Sequence, residues 1–153
     1  MHYLAPHRTR FATIVMASLS IFCGATHSSM AVASDQSIEV TQLLKTTHSW
    51  DGTRYRAYPN GQPEVSVLRY KIPARSALPW HNHPVINAAY VLSGQLTVIR
   101  KSDRKTMVIG PGDVLPEMVD ALHRGQSGDE PVELIVFYAG SRGVPLTVKA
   151  EPS

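Results

Sequence analysis

His81-Asn82-His83 sets two imidazoles at positions i and i+2. On an extended chain, side chains two apart point to the same face, so a single ion can take one nitrogen from each. His123 supplies a third imidazole from a later part of the chain. Neutral imidazole is the commonest metal ligand, and three histidines with an open position describe a catalytic site rather than a closed structural one. Asn87 has the same parity as His81 and His83, which puts its amide toward the same space, with Pro84 lying between. As a neutral, weak donor it is expected to meet a bound water or substrate rather than hold the ion.

The other reactive side chains carry less. Trp80 and Tyr90 are close enough in sequence to line such a site or bind a substrate, although aromatic residues of a sheet more often pack. Asp113 follows Gly112 and reads as a turn residue. Glu117 and Asp120 come shortly before His123 and could supply a carboxylate that Asn87 does not, although solvent-facing or outer-sphere carboxylates are the commoner case. His48 reads as a surface histidine. The chain has neither a nucleophile elbow nor a phosphate-binding loop. Met107 and Met118 are isolated, which disfavours a metal-delivery role built on soft ligand clusters.

These histidines need rigid extended segments to hold them, and the chain is patterned for strands. Val65 to Ile72 alternates, with Leu68, Tyr70 and Ile72 on one face and Arg69 and Lys71 on the other, and Pro73 closes it. Ala88 to Ile99 reads as two strands around Ser93-Gly94, and a second hairpin turns between Lys101 and Lys105. Met107 to Ile109 leads into the turn Gly110-Pro111-Gly112-Asp113, after which Val114-Leu115 resumes. Glu133 to Tyr138 is expected to be a fully buried strand, and Pro145 to Lys149 a final edge strand. An extension with one short strand, Ser34 to Thr47, and a turn at Trp50-Asp51-Gly52 come first. Short strands with close Gly and Pro punctuation, and no helical period, predict an all-β barrel or sandwich.

The segment from Pro79 to Gly94, with HxH, then Asn87, then Tyr90-Val91-Leu92-Ser93-Gly94, resembles the first motif of the cupin superfamily. In that motif an acidic residue usually stands where Asn87 is. Gly112 to His123 resembles the second motif, with Met118-Val119-Asp120 replacing its usual Pro-x-Gly. The resemblance spans about Pro63 to Gly140 and implies a small single-domain cupin, a double-stranded β-helix or jelly-roll barrel. It also implies one divalent ion (Fe, Mn, Ni or Zn) on His81, His83 and His123, a small-molecule partner and pairing into a homodimer. Loss of the acidic ligand points by resemblance toward iron-dependent dioxygenases. A non-catalytic binding or sensing cupin is the alternative, because the fold serves both classes.

The N-terminus reads as a cleaved signal peptide over residues 1–33, with the cupin domain over 34–153. Arg8 and Arg10 precede Phe11 to Ala25, an uncharged and mostly apolar run too short for a permanent membrane span, and Ala31-Val32-Ala33 offers a cleavage site. A periplasmic or secreted location follows from that reading. Removing a segment with two basic residues and no acidic ones takes 15 Lys and Arg to 13 against 12 Asp and Glu, a net charge of +1. So nearly neutral a chain without a basic run gives no case for nucleic acid. The one cysteine, Cys23, would leave with the signal, so neither a disulfide nor a thiol nucleophile is expected.

Overall fold

The computed structural model describes residues 37–151, within which the folded unit begins at Glu39. The proposed signal segment and Cys23 lie outside the described residues. Nine strands are found among them: β1 Pro63–Ile72, β2 His81–Asn82, β3 Ile86–Ser93, β4 Leu96–Arg100, β5 Thr106–Ile109, β6 Val114–Pro116, β7 His123–Ser127, β8 Val132–Ser141 and β9 Val148–Lys149. They form a four-stranded sheet, ordered β1-β8-β3-β6, and a five-stranded sheet, ordered β5-β4-β7-β2-β9. No helix occurs among the described residues, nor therefore one long and apolar enough to cross a membrane.

Alternation fixes which side of each strand enters the core. β1 and β8 pair along their whole length, from Pro63 opposite Ser141 to Ile72 opposite Val132. Val132, Leu134, Val136 and Tyr138 are buried, whereas Phe137 is 46% exposed. The continuous apolar run of β8 is thus buried on one face only, not on both as its composition suggested. Its outer residues join Val65 and Val67 of β1, both exposed, and Ala88 and Tyr90 of β3 in an apolar outer face. The inner residues meet Val91, Leu96, Val98 and Leu115 in a single core cluster.

Turns form where the backbone allows them. Gly94 joins β3 to β4 at φ +74°. In the turn before β6, the Asp113 carboxylate accepts a hydrogen bond from the Gly110 amide at 2.7 Å, which makes Asp113 a turn residue. The stretch 37–47 carries no strand, contrary to expectation; only an isolated bridge, His48 with Arg54, follows it. Ile38 and Val40 alternate with polar residues there, but both stay exposed, with no strand paired beside them. The arm is held instead at particular points. The Trp50 amide donates to the Pro116 carbonyl at 2.9 Å, and Trp50 packs against the core. The Asp51 carboxylate accepts from Arg100 at 2.5 Å. The final strand is shorter than expected, Val148–Lys149 only, and edges the five-stranded sheet beside β2.

Candidate metal centre

The five-stranded sheet places the first and third of these histidines opposite each other: His81 on β2 is the cross-strand partner of His123 on β7. His83 follows β2 at the same parity, and its carbonyl accepts from the Asp120 amide at 2.9 Å, which fixes the chain there. Asp120 takes φ +57°, so the turn that the usual motif makes with glycine is made here by aspartate, a residue that tolerates the left-handed region. The three rings lie with centroids 4.6 to 5.1 Å apart. One ligand atom from each lies within 4.8 Å of the others.

Each ring is oriented by a backbone carbonyl. The Nδ1 of His81 is 2.8 Å from the Pro79 carbonyl, that of His83 2.8 Å from Leu146 and that of His123 2.8 Å from Ala121. A carbonyl only accepts, so each Nδ1 carries the proton and donates it. The lone pair of a neutral imidazole is then on Nε2, the arrangement that carbonyl-oriented metal histidines use. Burial pushes the His81 pKa down to about 4 and that of His83 down as well, which keeps both neutral. For His123 burial works the same way, but the adjacent Glu117 carboxylate outweighs it and raises the pKa.

Glu117 departs from the sequence reading. It is only 8% exposed, lines the cavity, and sets Oε2 3.3 Å from His123 Nε2. Its carboxyl pKa is lowered: burial alone would raise it, and the imidazole of His123 outweighs burial. Glu117 Oε2 and His123 Nε2 are both buried without a hydrogen-bond partner among the described residues. Three imidazoles whose ligand atoms lie within 4.8 Å of one another, one of them beside an unpartnered carboxylate oxygen, are what a divalent ion would satisfy; the residues fit a metal. The signal for Glu117 was present in the sequence, because Leu115 faces the core and residue 117 shares its parity.

The cavity beside the histidines is about 280 Å³. Leu78, Leu96, Val98, Leu134 and Val136 make its apolar wall, and Tyr70, Tyr138, Thr147 and Lys149 its polar one. The Tyr70 and Tyr138 hydroxyls are 3.0 Å apart. Sequence reasoning missed these four as site residues. Trp80 and Tyr90 are corrected in the other direction, since neither lines the cavity. With 81 and 83 facing inward, 80 must face outward, and Trp80 lies under the Arg124 guanidinium, 4.6 Å from its ring centroid. Tyr90 alternates with the buried Ala89 and Val91 and joins the outer face. His48 is exposed, bonded to Thr47.

Asn87 is buried, with Nδ2 donating to the Val85 carbonyl at 3.2 Å and Oδ1 unpartnered among the described residues. It is not among the residues that line the cavity. Asn87→Ala is expected to leave metal affinity within about tenfold of the parent, the low end of outer-shell effects. A loss as large as that of His81→Ala in metal titration would make Asn87 a ligand and defeat this reading.

A family model described as Cupin domain matches residues 68–138. No curated protein sequence matches the chain. Among solved structures, the chain is similar to the DMSP lyase DddQ from Ruegeria pomeroyi DSS-3, with a TM-score of 0.52 and 21% identity over 58% of this chain and 44% of that one. It is also similar to the polyketide cyclase RemF from Streptomyces resistomycificus, with a TM-score of 0.51 and 17% identity over 61% of this chain and 64% of that one. The chain therefore spans less than two thirds of either, and likeness at these identities concerns the fold. The family match runs from β1 to the buried Tyr138 of β8 and encloses all three histidines, so residues 68–138 of this chain form a cupin domain.

Proposed function

We propose that this cupin is an exported mononuclear metal enzyme acting on a small organic molecule through an anionic or bidentate oxygen group, with iron-dependent dioxygenation as its reaction class. The observation that carries the proposal is the set of three carbonyl-oriented imidazoles whose Nε2 atoms converge at one wall of an apolar cavity. A divalent ion held there would supply Lewis-acid and, if iron, redox chemistry. The chain's own residues supply the rest. The leucine and valine wall takes the apolar part of the substrate and excludes water. The Tyr70 and Tyr138 hydroxyls offer a hydrogen-bond donor to a substrate oxygen, and Tyr138 stays protonated because burial raises its pKa far above neutrality. Lys149 sets a positive charge along the same cavity, which favours a carboxylate or enolate.

Metal analysis of protein purified from the periplasm, followed by oxygen uptake with small acids and diketones, tests this reading. About one ion per chain and uptake with at least one compound are expected. A chain that stays metal-free after reconstitution overturns it, and metal without turnover assigns the binding or sensing role instead.

Export and pairing belong to the same proposal. Cleavage after Ala33 gives a protein starting at Ser34, and the apolar outer face of the four-stranded sheet takes a second copy. Intact mass and sedimentation of the exported protein check both. A membrane-bound species retaining Cys23, or a monomer at micromolar concentration, goes against them.

A further inference from the structure

Glu117 is the one carboxylate that reaches the cavity among the described residues, and its place in the sheets is specific. β3 and β6 pair antiparallel, Ala88 opposite Pro116, Ala89 opposite Leu115 and Tyr90 opposite Val114. One step on, the Glu117 amide donates to the Asn87 carbonyl at 3.1 Å, so Glu117 stands across the strand pair from Asn87. Its backbone is held from the other side as well, since the Tyr55 hydroxyl donates to the Glu117 carbonyl at 2.7 Å. Within 4 Å its side chain meets no Lys or Arg; its ion-pair contact among the described residues is His123.

The His123 Nε2 that faces Oε2 is a lone pair in the neutral ring, because Nδ1 gives its proton to the Ala121 carbonyl. Two lone pairs 3.3 Å apart repel unless a cation lies between them, either a proton on Nε2 or a metal ion. Two donor atoms each about 2.1 Å from one ion are about 3.0 to 3.4 Å apart at angles between square and tetrahedral. The observed separation falls in that interval. A buried carboxylate also needs a positive partner to offset its desolvation.

We infer that Glu117 is a fourth ligand of the ion, with the carboxylate delivered from β6 rather than from the facing position 87 on β3. The inference rests on the metal reading above. It changes the charge at the site, because one carboxylate leaves a divalent ion with a net single positive charge. A monoanionic substrate then neutralises the centre, and monoanions are the ligand class it favours over dianions.

Zn(II) and Ni(II) titration of the full exported chain, its Glu117→Gln variant and the Asn87→Glu/Glu117→Gln double variant tests the assignment, with thermal melts confirming folded protein. Glu117→Gln is expected to weaken both metals by at least about tenfold. The double variant, with a carboxylate restored on the facing strand, is expected to recover most of that loss. If Glu117 serves only as a proton partner of His123, Glu117→Gln leaves affinity unchanged or tighter, and the assignment fails. A folded double variant as weak as Glu117→Gln also overturns it, by tracing the loss to the local structure of β6. Wild type that binds neither metal defeats the metal reading itself, a different result from a wild type that binds and a variant that binds as well.

Discussion

Replacement of His81, His83 or His123 by alanine is expected to weaken metal binding by more than about 100-fold while the sheets stay folded. The magnitude exceeds the 10- to 100-fold typical of outer-shell changes, because each substitution deletes a donor atom outright. Retention of the fold follows from the core, in which Leu115, Val91, Val132 and Tyr138 are buried independently of any ion. The chain is thus unlike a zinc finger, where metal binding and folding are one event. Metal titration with Fe, Mn, Ni and Zn, together with circular dichroism of each variant, checks both halves. His123→Ala with unchanged affinity, or a variant that loses its β signal along with its metal, would sink the prediction.

The largest effect on stability is expected at Gly94. Its φ of +74° lies in the left-handed region, and a Cβ built there would sit 2.1 Å from the Pro131 carbonyl oxygen and 2.9 Å from the Val132 Cα. Both neighbours are backbone, and Val132 opens β8, so the clash cannot be relieved by turning a side chain. Gly94→Ala should therefore cost about 3 kcal/mol or more, combining backbone strain with displacement of two strands. Gly112 is the control: it has φ +89°, but a Cβ there meets nothing within 4 Å. Gly112→Ala should cost about 1 kcal/mol, the strain alone. Urea unfolding of the two variants separates the contributions, and equal midpoints would show that the β3–β4 turn moves freely away from Pro131.

The comparison of sequence with structure divides along a physical line. Periodicity made the long strands legible, and the i, i+2 rule made His81 and His83 legible, because both depend only on neighbouring residues. The hairpins at Ser93-Gly94 and Lys101 to Lys105 were legible for the same reason. Glu117 was seen but misplaced. Residue 117 shares the parity of Leu115, but Pro116 interrupts the strand signal between them, so that local cue was weak. Thr147 and Lys149 reach the cavity from beside and within a two-residue strand, too short for any pattern. The arm before β1 has only a brief alternation at Ile38 and Val40, both left exposed, and is held by isolated backbone bonds and one packed tryptophan. Trp80 and Tyr90 lie away from the cavity lining, in keeping with the packing role that aromatic residues of a sheet more often have and with the inward parity of His81, Ala89 and Val91.

That arm has a consequence for how the centre behaves over time. β6 is three residues long and lies at the edge of its sheet, so on one side its neighbour is not a strand but the arm. The Trp50 amide and the Tyr55 hydroxyl occupy the carbonyls of Pro116 and Glu117. With Glu117 as a ligand, undocking of the arm and release of the ion draw on the same few backbone bonds. Linkage then requires reciprocity: by whatever factor a docked arm tightens the ion, a bound ion holds the arm down. Loading the metal should slow amide exchange at Trp50, about thirty residues before His81 in the chain, and unchanged exchange there would show that the arm and the centre open separately.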